Sequence, residues 1–162
     1  MEMKKIWAID AVLIVGTLIA VFVLIDYAQP LVIAPTDDFT TTETKVLFEF
    51  AGEKILIDDN LEFNSPDEYA AKDGLIINLK PGVYYWKAVR GFESETRKLT
   101  IESEIDLRLN EKGDGEYEIV NAGNVELDVE VYRDDELVGS LILGSGEKEN
   151  AEGDKFFGRE NE

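Results

Sequence analysis

The residues best equipped for chemistry are oxygen-bearing side chains crowded into one short stretch. Asp58, Asp59, Asn60, Asn64 and Asp67 fall within a single loop-like segment. Calcium takes about 6–8 oxygens of this kind, from carboxylates, amides and backbone carbonyls. The stretch lacks the Asp-x-Asp-x-Asp-Gly spacing of a preorganised calcium loop. It reads as a solvated turn in which Asp58, Asp59, Asn60 and Asp67 are the calcium candidates. The run Asp134-Asp135-Glu136 reads as a charged hairpin tip on the same grounds.

The remaining inventory argues against catalysis. The 162 residues contain no histidine and no cysteine. The commonest general base, the commonest zinc ligand, the thiolate nucleophile and any disulfide framework are all missing. Gly144-Ser145-Gly146 lacks the strand-to-helix setting of a nucleophile elbow, and no phosphate loop or dinucleotide fingerprint occurs. No catalytic residue, no cofactor and no enzymatic activity are expected.

Charge narrows the partners. The net charge is −19, and 14 Lys+Arg against 32 Asp+Glu follow Pro35. Such a surface repels phosphate backbones, so nucleic acid is not an expected partner.

Residues 6–25 read IWAIDAVLIVGTLIAVFVLI, with Asp10 the one charge. At ~1.5 Å per residue this helix matches the ~30 Å hydrocarbon thickness of a bilayer. Trp7 and Tyr27 sit where amphipathic rings favour the two interfaces, and Lys4 and Lys5 flank the amino end. The positive-inside rule then puts residues 1–5 in the cytoplasm, a transmembrane helix at 6–28, and the acidic remainder outside. The run is long for a signal peptide and has no small-x-small exit, so an uncleaved signal-anchor is expected. Asp10, Gly16 and Ala20 are the candidates for assembly within the membrane, as a carboxylate and a small-xxx-small pair. Lys5, Ile6 and Asp10 resemble the basic cleavage site and fifth-position acid of type IV pilin-like helices, without the small residue expected before the cut. That likeness implies a pilin-like subunit as one alternative. An accessory subunit of a larger membrane complex is another.

Beyond the helix, residues 29–44 read as a stalk. Residues 45–103 read as a β unit, with KVLFEF and EKILID forming a hairpin. Ser65, Pro66 and Glu68 supply helix-start signals, so a short helical turn is expected near 66–72, ending at Gly74. Residues 104–145 read as a second, smaller β unit packed on the first. In it Val125, Leu127, Val129 and Val131 alternate with acids on a half-buried strand. Residues 146–162 read as a polar tail in which Phe156-Phe157 docks back on a sheet edge. The fold class is mainly β with an amino-terminal helix.

Leu79, Pro81, Gly82 and Tyr85 form a Leu-x-Pro-Gly turn followed by a tyrosine. This resembles the tyrosine corner of fibronectin type III and other immunoglobulin-like sandwiches. Residues 53–103 as a whole resemble PEGA-type modules of prokaryotic envelope proteins. They depart from that pattern at Asp59-Asn60, where a glycine is usual, and in the DEYAAKDG insertion. The VNAGNVELDVEV stretch resembles an Asn-x-Gly-Asn turn of immunoglobulin-like surface modules. These likenesses imply an antiparallel sandwich and a spacer, adhesive or scaffold role. Tyr84 and Trp86 share a strand face and are the aromatic contact candidates, with sheet packing the competing reading. The expectation is a single-pass membrane protein that binds or scaffolds outside the cell, its partners the bilayer and a further protein or a second copy.

Overall fold

The structure, a computed structural model, describes residues 2–26, 30–113 and 115–161. Among them there is one helix, α1 (Glu2–Asp26), followed by fifteen strands. The side chains described on α1, Trp7 and those of residues 10–24, are all exposed. Among the described residues no helix is long and apolar enough to cross a membrane. The expected span 6–28 reaches past the described side chains at both ends, and Tyr27 and Ala28 lie outside the described residues.

Nine strands build the first β unit: β1 (Leu31–Ala34), β2 (Phe39–Thr41), β3 (Lys45–Ala51), β4 (Lys54–Asp58), β5 (Asp67–Ala70), β6 (Leu75–Asn78), β7 (Gly82–Arg90), β8 (Phe92–Glu93) and β9 (Arg97–Ile101). They form a three-stranded sheet, β1-β3-β6, and a larger sheet, β2-β9-β7-β4-β5, with β8 paired to β7. All pairings are antiparallel except β2 with β9. Alternate side chains point to one face of a strand. Val46 and Phe48 of β3, with Leu75 and Ile77 of β6, therefore meet Ile55, Ile57, Trp86, Ala88, Leu99 and Ile101 of the larger sheet in one core. Burying each of the large side chains contributes roughly 1.5–3 kcal/mol. The Phe48 and Trp86 rings meet edge to face, centroids 5.1 Å apart.

One expectation fails in this unit. Residues 67–70 are strand β5, not a helical turn. They pair with β4 in the register Ile55↔Tyr69 and Ile57↔Asp67, and Tyr69 packs against the core. A lone helical turn gains almost nothing in water, whereas this segment finds a ready sheet edge. Residues 30–44, expected as a stalk, are extended and packed on the unit. Pro30 is buried, β1 pairs with β3, and β2 pairs with β9. The Arg97 guanidinium donates to the carbonyls of Val32 at 3.1 Å, Ile33 at 3.4 Å and Pro35 at 3.0 Å, and to Glu95 Oε1 at 3.0 Å. Asp37 Oδ1 accepts the Lys98 backbone N–H at 2.8 Å. A single arginine thus holds the chain that follows α1 against the sheet.

The second unit has six strands: β10 (Leu107–Gly113), β11 (Glu116–Asn121), β12 (Leu127–Arg133), β13 (Glu136–Leu143), β14 (Lys148–Glu152) and β15 (Lys155–Glu160). They form two antiparallel sheets, β10-β11-β14 and β13-β12-β15. Ile119 of β11 meets Val125, Leu127, Val129, Val131 and Leu143, joined by Leu107, Leu141, Ala151 and Phe156. The unit is larger than residues 104–145. The expected polar tail supplies β14 and β15, one strand to each sheet. Phe156 enters the core against Tyr117, ring centroids 5.3 Å apart. Phe157 stays outside on Tyr132, at 5.5 Å.

Candidate functional site

The densest polar construction joins the two β units. It is built from residues 102–106, which leave β9, and from Asn121-Ala122-Gly123-Asn124, which leave β11. Asn121 is fully buried. Its Nδ2 donates to the carbonyls of Val125 at 2.7 Å and Leu143 at 2.9 Å, and its Oδ1 accepts the Gly123 N–H at 3.0 Å. A buried amide is tolerated where its hydrogen bonds are made, and here one side chain satisfies three backbone groups.

Gly123 lets the two strands of chain touch. A Cβ on it would stand 2.1 Å from the Glu104 carbonyl oxygen and 2.9 Å from the Asp106 nitrogen. Ala122 N donates to Asp106 O at 2.7 Å and Asn124 N to Glu104 O at 3.0 Å, so residues 104–106 run directly alongside. Ser145 Oγ donates to the Gly123 carbonyl at 2.7 Å from the far side. Asn124 then ties the units together. Its Nδ2 donates to Thr42 O at 2.7 Å and Glu102 O at 2.8 Å, and its Oδ1 accepts the Glu104 N–H at 2.7 Å. Thr42 belongs to the first unit and Asn124 to the second.

Beside this joint lies an open cleft of about 720 Å³, lined by Lys45, Asn78, Lys80 and Pro81 on one side and by Glu126 and Glu160 on the other. Glu126 accepts from Asn161 Nδ2 at 2.6 Å. The cleft is of a size that binds small molecules. Thr44 and Ser145 bring hydroxyls to it, and that of Ser145 is spent on the Gly123 carbonyl.

The corner turn is present, with a different tyrosine. Tyr84 Oη donates to the Lys80 carbonyl at 3.0 Å, four residues back. Tyr85, expected in that role, lies on the opposite strand face, half-buried and paired in register with Asp58 and Lys98. Burial, followed by the nearby Asp59 charge, holds the Tyr84 hydroxyl above its usual pKa, so it stays a donor. Leu79 is in the core, and Pro81 and Gly82 make the turn into β7. Trp86 is fully buried with Arg97 stacked 5.8 Å from its ring centroid, and its Nε1–H has no hydrogen-bond partner among the described residues. Trp86 is a core residue and not a contact candidate. Tyr84 packs against the same core.

The acidic loop is organised by its own backbone. Asp58 is buried; its Oδ1 accepts the Asn60 N–H and its Oδ2 the Ser65 N–H, both at 3.0 Å. The Ser65 N–H first, and the Asn60 N–H after it, hold this carboxyl below the usual Asp range against the opposing effect of burial. Asn60 Oδ1 in turn accepts the Glu62 N–H at 2.9 Å. Asp58, Asp59 and Asp67 border a shallow recess with Ser65, Leu79 and Tyr84. Among the described residues no group of three or more acidic side chains is disposed to hold a metal ion. Of the oxygens expected to face a cation, those of Asp58 and Asn60 accept the hydrogen bonds that close the loop.

On α1, Asp10 and Ala20 are exposed, and nothing lies within 4 Å of a Cβ built on Gly16. The assembly candidates thus share a helix without being drawn into the β units. Sequence reasoning missed Asn121, Gly123, Asn124 and Arg97 as individuals. An Asn-x-Gly-Asn run directly before a strongly alternating strand was the available signal for the first three. Arg97 carried none, because its partners are carbonyls more than sixty residues away.

No known protein family model matches the chain, and no curated protein matches it.

Proposed function

We propose that this chain is a single-pass membrane-anchored protein with its amino terminus in the cytoplasm and two immunoglobulin-like β units outside, working by binding or scaffolding and not by catalysis. In this reading α1 is the anchor, and the first unit is a sandwich of the fibronectin type III or PEGA kind. The observation that carries it is the join between anchor and β unit. Four residues, 27–30, separate α1 from β1, and a chain of that length reaches at most about 14 Å. Arg97 then grips β1 and the segment after it. A tether this short, ending in a clamped strand, suits a unit carried at the bilayer surface and coupled to its helix.

Further support comes from composition and from the joint. The apolar run 6–25 with Lys4 and Lys5 before it carries the orientation. Asn121, Asn124 and Ser145, gathered between the units, are committed to backbone hydrogen bonds, which hold shape. A large acidic surface on two joined β units suits presentation to a partner.

The test is capture of the tagged full-length protein from its native membranes in mild detergent, with the mass and composition of what accompanies it. A stoichiometric partner protein, or a self-assembly, is the expected result and would identify the bound class. Recovery in the soluble fraction with a hydrolytic or transferase activity would sink the proposal. A mature chain starting at Ile6 would replace it with the pilin-like alternative.

A further inference from the structure

The two sheets of the first unit turn different surfaces outward. On the larger sheet Lys54, Lys87 and Lys98 are paired with Glu68 at 2.7 Å, Glu93 at 2.9 Å and Asp38 at 3.4 Å. A surface of paired charges is suited to water. The β1-β3-β6 sheet differs. Alternate residues of a strand share a face, and Val46, Phe48, Leu75 and Ile77 point into the core. Leu47 and Ile76 lie between them and point outward, directly opposite each other in the β3–β6 register.

Both side chains are exposed, Ile76 by more than half. The neighbouring strand β1 adds Leu31 and, from the bulge between Val32 and Ala34, Ile33, each again more than half exposed. The outward charges of β3 and β6 are Lys45 and Glu49, one of each sign. An open recess of about 400 Å³, lined by Pro35, Phe39, Val46 and Leu47 among others, continues this surface towards β2. Large apolar side chains gathered on one exposed face mark an interaction site.

We infer that the outer face of the β1-β3-β6 sheet lies on the lipid bilayer, its apolar side chains seated at the boundary between headgroups and acyl chains. The inference builds on the anchored reading above and adds the orientation of the first unit. The tether selects the occupant. Residues 27–30 alone separate α1 from Leu31, and they reach at most about 14 Å. The headgroup layer on one side of a bilayer is about 5–7 Å deep. Leu31 is therefore held in that layer or just above it, and Leu31 is itself part of the apolar face. Charge agrees with the choice of face. A chain of net charge −19 is repelled by anionic headgroups over most of its surface, and this face, with Lys45 against Glu49, escapes that repulsion.

The test uses the full chain in phosphatidylcholine vesicles, with one fluorophore-labelled cysteine per variant. Glu49→Cys lies on the same outward face as Leu47 and leaves every apolar residue there in place. Asn150→Cys lies on β14 of the second unit, and Thr17→Cys lies inside α1 and reports the anchor by itself. All three positions are exposed. Quenching by a nitroxide at the lipid headgroup should be several-fold stronger at position 49 than at position 150, and a nitroxide deep in the acyl chains should quench position 17. Leu47→Glu or Ile76→Glu should bring position 49 down to the level of position 150, with position 17 still quenched and far-ultraviolet circular dichroism unchanged. Quenching at position 17 with none at 49 beyond that at 150 would overturn the inference and leave the anchor standing. So would quenching at 49 that ignores both glutamates. Shielding of position 49 from both the lipid nitroxide and aqueous iodide would overturn it in favour of a protein cover. A position 17 untouched by the deep nitroxide would remove the anchored reading, and the inference with it.

Discussion

Asn124 Nδ2 stands 2.7 Å from the carbonyl oxygen of Thr42, 82 residues earlier in the chain. That contact, with its companions to Glu102 and Glu104, ties the two β units together by a side chain whose donors are both used. Its effect on stability is modest, because a solvent-accessible hydrogen bond contributes about 0.5–1.5 kcal/mol net. Its effect on shape is larger, because it fixes the angle between the units.

Asn124→Ala should therefore loosen the joint without unfolding either unit. Spin labels on Lys72→Cys and Asn150→Cys, both exposed, report the distance between units in chain diluted with unlabelled protein. A narrow distance distribution in the parent and a broad one in the Asn124→Ala background are expected. Equal widths would show that the joint does not depend on Asn124.

Gly123→Ala acts on the same joint by crowding. The added Cβ meets backbone atoms, which cannot swing aside as a side chain would. The expected cost is about 1–3 kcal/mol, the range for overpacking, read as a lowered midpoint in chemical denaturation. Ala122 is exposed beside it, so Ala122→Gly should cost less.

The corner separates two neighbouring tyrosines. Tyr84→Phe removes the donor to the Lys80 carbonyl and should cost about 1 kcal/mol. Tyr85→Phe should change stability little. The reverse ranking in a thermal melt would restore Tyr85 to the corner.

Asp58 gives the acidic loop a pH dependence. Its folded-state pKa lies below that of an unfolded Asp, about 3.9, because the Ser65 and Asn60 N–H groups favour the carboxylate. The stabilisation is thus complete above that pH and is lost as pH falls through the folded value. Asp58→Asn should melt lower than the parent at neutral pH, and the gap should close on acidification below about pH 4. A gap that persists into acid would mean the carboxylate charge is not what holds the loop.

What the sequence showed clearly was strongly patterned. Val125, Leu127, Val129 and Val131 alternate with acids and are buried together, and Trp86 and Tyr84 share a core-facing side. The failures lie where local signals were weak or pointed elsewhere. Lys148–Glu152 turns only Ala151 inward, so its strand character comes from pairing with β11 and not from its own hydrophobicity. Ser65, Pro66 and Glu68 spell a helix start, yet the edge of β4 offered those residues a ladder. The corner motif was legible as a turn, but a count from Leu79 fell one residue past the tyrosine that bonds back. The joint was least visible, since its three key residues act on carbonyls that only the folded chain brings near.

Labelling of single cysteines in intact cells tests whether the β units are membrane-tethered and face outward. The chain has no native cysteine, so Lys72→Cys and Glu2→Cys each report one site to a membrane-impermeant maleimide. Lys72→Cys should be labelled on intact cells and Glu2→Cys only after permeabilisation. Labelling of Lys72→Cys only in opened cells, or recovery of the protein free of membranes, would contradict it.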